Sequence, residues 1–600
     1  MKSPNVAVGG AGKLLWLLTV LIADNTVAQE NRWISSAAGK WEDGAKWSEG
    51  IPPNINHNVV IANGAFRPVA LGNVLVDATS ATLPGNMVVS NLRVGSGNLL
   101  AFGEDVLNLS NAGLNTPLTV LSSALITNHG FVNITGSILT INDGMAIHGG
   151  NLTLLSGGVL NVKGNNYPAY DFSINGTLNL NAGSLNFSNF FATGMGIGSS
   201  AGGTMTVSGG ILRVAGSAFV EVGGQPGSTG NLVITGGVAR LEGQFFAIAG
   251  KTNSTGSVLL NGGELVTGDT YIGRGGNGRM TISNGLWRAH PPNTLLVGQA
   301  NGSIGTLLIA GGTNIFSGRL AVGSSFNTVA ASMIITGGEL HITNHLATIY
   351  DFAAISNGLW RAKDISVSQT FGAPAPAQLR CAGGSTFVSS SLIVGTPFSC
   401  NQTGLVTVTG GNLIITNAAA TAVLEIGTGT FKIDGGTVIA DTIDLTSPCG
   451  RFERTGGTLI YRSAKLLASR DDDSDGLSNG IEQGLGYDPL NPVDGLADDD
   501  GDGTINAQEI LAGTSPTNAA SQLRFRSILI QGDDVRIRWS TAGGKTNVIQ
   551  AAPSLGGNTN DFTDLAQIPI TGSGDKTNTY VDVDGAKQSP ARYYRIKVVR

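Results

Sequence analysis

The chain has 600 residues, 88 of them glycine, with only 13% charged side chains and a net charge of −6. Its mean hydropathy is nevertheless positive, the opposite of the low-hydropathy, high-charge balance of disordered chains. The acidic balance and the absence of a basic stripe or Gly-rich phosphate loop argue against nucleic acid as a partner.

The N-terminus reads as a secretory signal. Lys2 and Lys13 supply positive charge, and Leu14 to Ile22 form an apolar core of nine residues. That core is too short to span a bilayer. Thr26-Val27-Ala28 offers a cleavage site near Ala28. No later stretch is apolar enough for a membrane span. The expected fate is secretion, or display at a cell surface. Residues 29–84 follow as an N-terminal cap. They include "RWISSAAGKWEDGAKWSEGIPPN" (32–54), with Trp33, Trp41 and Trp47.

Residues 85–465 carry an internal repeat. Short alternating runs end in a Gly-Gly or Asn-Gly doublet, as in "TMTVSGGILRV" (204–214), "NLVITGGVARL" (231–241) and "RMTISNGLWRA" (279–289). The doublets start at 209, 236, 262, 284, 311 and 337, with gaps of 27, 26, 22, 27 and 26. A period in this range marks a solenoid or array. Each unit holds two or three strands of about four residues with no helical pattern between them. A WD40-type blade needs about 40 residues. The spacing therefore predicts a mainly β fold, a right-handed parallel β-solenoid with one unit per coil. The doublets are its corners, because glycine tolerates φ > 0. A solenoid leaves open edges at both ends, so the flanking segments are expected to cover them.

The Trp-rich opening, Pro52-Pro53 and the Gly-Gly coils resemble secreted bacterial β-helix proteins, including those with autotransporter-associated strand repeats. The resemblance spans roughly residues 30–465. Residues 466–600 do not read as a translocating barrel, so self-translocation is not expected.

Residues 466–520 carry two calcium-type loops. "DDDSDGLSNGIE" (471–482) and "DDDGDGTINAQE" (498–509) both match D-x-D-x-D-G-x5-E. The candidate ligands are Asp471, Asp473, Asp475 and Glu482, then Asp498, Asp500, Asp502 and Glu509. Calcium takes six to eight hard oxygens, and the final glutamate can give two. Gly476 and Gly503 sit at the sharp turn. Gly486, Pro489 and Asn491 recur as Gly513, Pro516 and Asn518, all offset by 27. From 471 to 509 there are twelve Asp plus Glu and no Lys or Arg. Gly484, Gly486 and Pro489 should cut the exit helix to about one turn, too short for an EF-hand sensor. The segment resembles thrombospondin type 3 repeats, with dockerin-like loops second. That resemblance implies extracellular, structural calcium. Residues 521–600 alternate as antiparallel strands and resemble a small fibronectin-III-like β-sandwich, with Trp539 and Tyr594 packing its core.

Three cysteines are too few for a disulfide scaffold. Cys381 and Cys400 are a possible pair, and an unpaired structural cysteine is an equal alternative.

A catalytic reading has less to stand on. A glycosidase needs carboxylates about 5–9.5 Å apart, and Glu264 and Glu339 fall three coils, roughly 14 Å, apart. Asp434, Asp441 and Asp444, and His341, His345 and Asp351, lack a framing motif. The repeated "SNGLWRA" (283–289, 356–362) gives Trp287, Arg288, Trp360 and Arg361 as possible glycan contacts if the rings face outward. The leading expectation is a secreted or surface structural and adhesive rod with structural Ca²⁺, whose partners are polysaccharide or matrix components. The alternative is a polysaccharide lyase or glycoside hydrolase of the β-helix type.

Overall fold

The computed structural model describes residues 28–62, 74–77, 87–96, 104–110, 118–164, 170–189, 193–289, 293–368, 376–396, 400, 403–553, 562–587 and 591–599. Residues 1–27 of the expected signal segment, which ends at Ala28, lie outside them. No described helix is long and apolar enough to cross a membrane.

The described residues between 29 and 466 form a parallel β-solenoid with three sheet faces. One coil visits each face once. On the first face, Phe219–Val222 pairs with Phe246–Ile248, which pairs with Thr270–Ile272. On the second, Thr229–Ile234 stacks between 202–207 and 255–260. On the third, Val238–Leu241 stacks between 211–214 and 264–267. Strand alternation sends every second side chain inward. Met205 and Val207, Leu232 and Ile234, and Val258 and Leu260 thus fall into one buried column set. Outward positions form polar ladders of their own: Asn133 donates to Asn108 at 2.8 Å, and Asn186 to Asn161 at 2.9 Å.

The doublets are the corners between the second and third faces. Their second glycine adopts a left-handed conformation, φ +68° at Gly237 and +72° at Gly312. A Cβ on Gly237 would sit 2.5 Å from the Gly210 carbonyl oxygen one coil below. The register follows the repeat: Ile234 pairs with Leu260, Leu260 with Ile282, and Ile282 with Ile309. Coil length varies, yet the core columns stay aligned. The variation is absorbed at two corners: before the second face, where Gly-Gly-Gln-Pro-Gly-Ser (223–228) shrinks to Tyr350-Asp351, and before the first, where Glu-Gly-Gln-Phe (242–245) shrinks to Gly268-Asp269.

The Trp-rich segment is continuous with the solenoid. Gln29–Arg32 is the terminal rung and pairs in parallel with 57–60. Its other edge is covered by chain from the same segment: Ser48 N–H donates to the Arg32 carbonyl at 2.8 Å and Ile34 N–H to Lys46 at 2.9 Å. Trp33 and Trp41 each meet Trp47 edge-on at 5.1 Å. All three are buried in the same core cluster as Val59 and Ile61.

Beyond the solenoid come two short helices, α1 (Asn479–Leu485) and α2 (Asn506–Ala512). At seven residues each they run about two turns rather than the expected one. Left-handed Gly486 and Gly513 end them. The C-terminal region has two three-stranded antiparallel sheets. Asp534–Ala542 is central in one and Thr546–Ala552 in the other. Val535, Ile537, Trp539 and Ile549 are buried between them, with Tyr594 packed at the side.

Cys381 is free and buried, and the disulfide joins Cys400 to Cys449, with Cα atoms 5.7 Å apart. The Cys381–Cys400 pairing is therefore corrected. Cys381 points into the core from a second-face strand, while Cys400 and Cys449 both lie in corners before that face.

Candidate metal centre

Each acidic loop is built by its own first carboxylate. Asp471 accepts from the Asp475 N–H at 3.2 Å and the Gly476 N–H at 3.1 Å. Asp498 repeats this with Asp502 at 3.1 Å and Gly503 at 2.8 Å. Gly476 (φ +99°) and Gly503 (φ +94°) make the reversal that turns the remaining oxygens inward. Asp475 then holds the Leu477 N–H at 2.8 Å, as Asp502 holds Thr504 at 2.8 Å. The helix that follows the first loop delivers Glu482 to its carboxylates, and the helix after the second places Glu509 where Asp500 and Asp502 act on it electrostatically.

Carboxylate oxygens of Asp473, Asp475, Glu482 and Asp494 lie within 4.8 Å of one another. A second group is Asp498, Asp500 and Asp502. Glu509 is buried, as is Glu482, and the Asp500 and Asp502 carboxylates act on it electrostatically. Asp494 is a member that the loop pattern missed. It comes from the connection between the loops, and no motif position encodes it. Asn479 and Asn506 were missed as well, although their offset of 27 was legible. Both are fully buried. Asn479 donates to the Leu467 carbonyl at 2.8 Å and Asn506 to the Asp494 carbonyl at 2.6 Å, tying each loop's start to its helix.

These carboxylates are crowded and lack donors. Asp473 Oδ2, both Glu482 oxygens, Asp500 Oδ2, Asp502 Oδ2 and Glu509 Oε2 are buried without a hydrogen-bond partner. Leaving such oxygens unmatched costs about 1–3 kcal/mol each, more when charged. Burial, then the charges of Asp475 and Glu482, push Asp473 up to about 8. Burial and the surrounding carboxylates push Glu482 up to about 8 and Glu509 up to about 7. The donor set is all hard oxygen, with no nitrogen or sulfur. That chemistry suits a hard divalent cation, which would satisfy the orphaned oxygens together.

The loops touch what lies on either side. Leu490, between them, is fully buried and belongs to the solenoid core cluster. Tyr461 on the last rung donates to Asp488. Arg470 donates to the carbonyls of Ser447 at 2.8 Å and Gly450 at 2.7 Å while pairing with Asp472 at 2.6 Å. On the other side, Ser521 donates to Asp575 at 2.6 Å, and Lys545 reaches the Ile510 carbonyl at 3.5 Å.

The other candidates separate. Trp287 and Trp360 lie three coils apart, as their register through Asn314 and Leu340 requires. Both are buried, at 0% and 1% exposure, so neither ring is a platform for sugar. The alternation of "LWRA" puts Trp inward and Arg outward. Arg288 faces Glu264 at 3.6 Å, and Arg361 lies over the Phe387 ring at 4.6 Å. Glu264 and Glu339 also sit three coils apart. Asp441 accepts from the N–H groups of Asn417 and Ala422, Asp444 faces Lys465, and Asp434 faces Lys432. His341 faces Glu339 at 2.9 Å, His345 is exposed, and Asp351 caps the Ala331 N–H at 2.6 Å. Among the described residues no hydrogen bond joins either histidine to Asp351.

Compared with known protein families, curated proteins and solved structures, the chain matches none.

Proposed function

We propose that the protein is a secreted or surface-displayed structural and adhesive rod. In this reading, Ca²⁺ bound by residues 471–509 locks the end of the solenoid to the C-terminal sheets. The observation that carries it is the pair of buried, partnerless carboxylate groups, repeated at an offset of 27 and seated beside a leucine that enters the solenoid core. Asp473, Asp475, Glu482 and Asp494 would hold one ion; Asp471, expected as a ligand, lies outside that group, its oxygens accepting the Asp475 and Gly476 N–H groups. Asp498, Asp500, Asp502 and Glu509 would hold the other. The cation neutralises the repulsion, and the segment then sets as one piece.

The short helices favour this clamp over a sensor, since neither is long enough to swing. Thrombospondin-3-like loops and a fibronectin-like terminal domain fit the same role. The Cys400–Cys449 disulfide agrees with an oxidising compartment outside the cytoplasm.

Limited proteolysis tests the clamp. Calcium should protect residues 466–520 from cleavage, and Asp500→Ala combined with Asp502→Ala should remove protection around the second loop. Equal cleavage of the wild type with calcium and with chelator would overturn the proposal.

A further inference from the structure

A groove of about 510 Å³ opens on the outer side of the first face. It crosses three successive rungs, 124–127, 145–148 and 172–174, and is closed at one end by the corners at Ser199 and Gln225. Its size falls within the range of small-molecule sites. Leu125 and Ala146, stacked on the outward ladder, give it an apolar floor, and His148, Asp143 and Tyr170 stand around it.

The chemistry of the lining narrows the ligand. Among the described lining residues there is no lysine or arginine. The nearby cation, Arg274, faces buried Glu221 at 3.4 Å, and the Tyr170 hydroxyl donates to that same carboxylate. Uronates, sulfates and phosphates would thus meet carboxylates without a counter-charge. Asp143 and His148 make no side-chain hydrogen bond among the described residues, so both keep capacity for a ligand. Carboxylate, imidazole and hydroxyl groups around an apolar floor match the hydroxyl rim and C–H face of a pyranose.

We propose that this groove is a binding subsite for an uncharged pyranose of a polysaccharide. Asp143 and His148 would engage hydroxyls, and Leu125 and Ala146 would lie under the ring. The proposal deepens the adhesive reading above and takes its class of partner from it. It does not depend on the calcium clamp.

Isothermal titration of the full chain in calcium would use cellohexaose, laminarihexaose, xylohexaose and chitohexaose, with hexagalacturonate as the acidic comparison. At least one neutral oligomer should bind and the uronate should not. Ala146→Trp fills the groove and should weaken binding by about tenfold or more, roughly 1.4 kcal/mol. Asp143→Asn and His148→Ala should weaken it severalfold, with unchanged thermal unfolding reporting an intact rod. Three results would overturn the proposal: no neutral oligomer binding at millimolar concentration, uronate binding as tightly, or affinity indifferent to all three substitutions. Calcium protection of residues 466–520, read on the same preparation, shows separately whether the clamp stands.

Discussion

Two tryptophans in the same repeated heptapeptide have different surroundings. Trp287 Nε1 donates to Thr267 Oγ1 at 3.0 Å, and Thr267 in turn accepts from Thr270. Trp360 Nε1 is buried with no partner. Trp287→Phe should therefore cost about 1 kcal/mol more than Trp360→Phe in urea unfolding, the worth of one net hydrogen bond. Glycines divide in a similar way. Gly338 (φ +67°) would place a Cβ 2.4 Å from the Gly311 carbonyl carbon, whereas Gly302 (φ +74°) has nothing within 4 Å. Gly302→Ala should cost only backbone strain of about 1–2 kcal/mol, and Gly338→Ala should cost clearly more. Glu425 gives a pH test. Burial, then the Asp444 carboxylate, hold it above the usual carboxylate range, with Lys465 opposing. Its folded pKa thus exceeds the unfolded value of about 4.3. The protein is favoured below that value and loses stability as pH rises through the folded pKa. Glu425→Gln should accordingly be more stable than wild type at neutral pH, with the gap closing on acidification below about pH 4.

At the scale of elements, the acidic loops carry the sharpest prediction. Without cation, Glu482 is a buried carboxylate among like charges, so Glu482→Gln should stabilise the calcium-free segment against proteolysis. The same change should abolish the first loop's response to calcium. Wild-type protein at calcium a hundredfold above its dissociation constant should gain about 2.7 kcal/mol per site; an unchanged melting profile would sink this. Leu490→Ala should cost about 2–5 kcal/mol by the usual scale of core truncation, felt at the end of the rod. Much of this was legible in the sequence. Corner glycines, coil spacing and the acidic loop spacing are local patterns, each set by backbone sterics or residue period. The plug Leu490, the extra carboxylate Asp494 and the Cys400–Cys449 partnership were not. They depend on where a coil ends in space, and no short spacing records that. The inward turn of Trp287 and Trp360 follows from strand alternation once the phase is known, and their buried register neighbours Leu265 and Leu340 supply that phase.

Most of the molecule is a one-dimensional stack covered at both ends. Such stacks gain stability from neighbour contacts, and their termini are the weak points. The first rung is shielded by its own antiparallel return and three tryptophans, and the last by Leu490 and Tyr461. Hydrogen exchange should be slowest in the middle coils, with the last coils becoming faster when calcium is removed. The disulfide ties corners two coils apart across Gly427-Thr428-Gly429. On the chain-entropy account it contributes about 4 kcal/mol. Reduction should therefore quicken exchange in residues 400–466 and leave the early coils unchanged.

The rung hydrogen bonds lie nearly along the axis of the stack, and this gives the protein a mechanical character. Force applied between its two ends would peel coils one at a time rather than shear them together. Each released coil, such as the 26 residues from Ile309 to Ile335, would pay out roughly 90 Å of chain at about 3.4 Å per residue. A stack of this kind would lengthen under load in steps. Peeling from the C-terminal side would meet the disulfide within the last few coils, so the extensible reserve lies towards the other end.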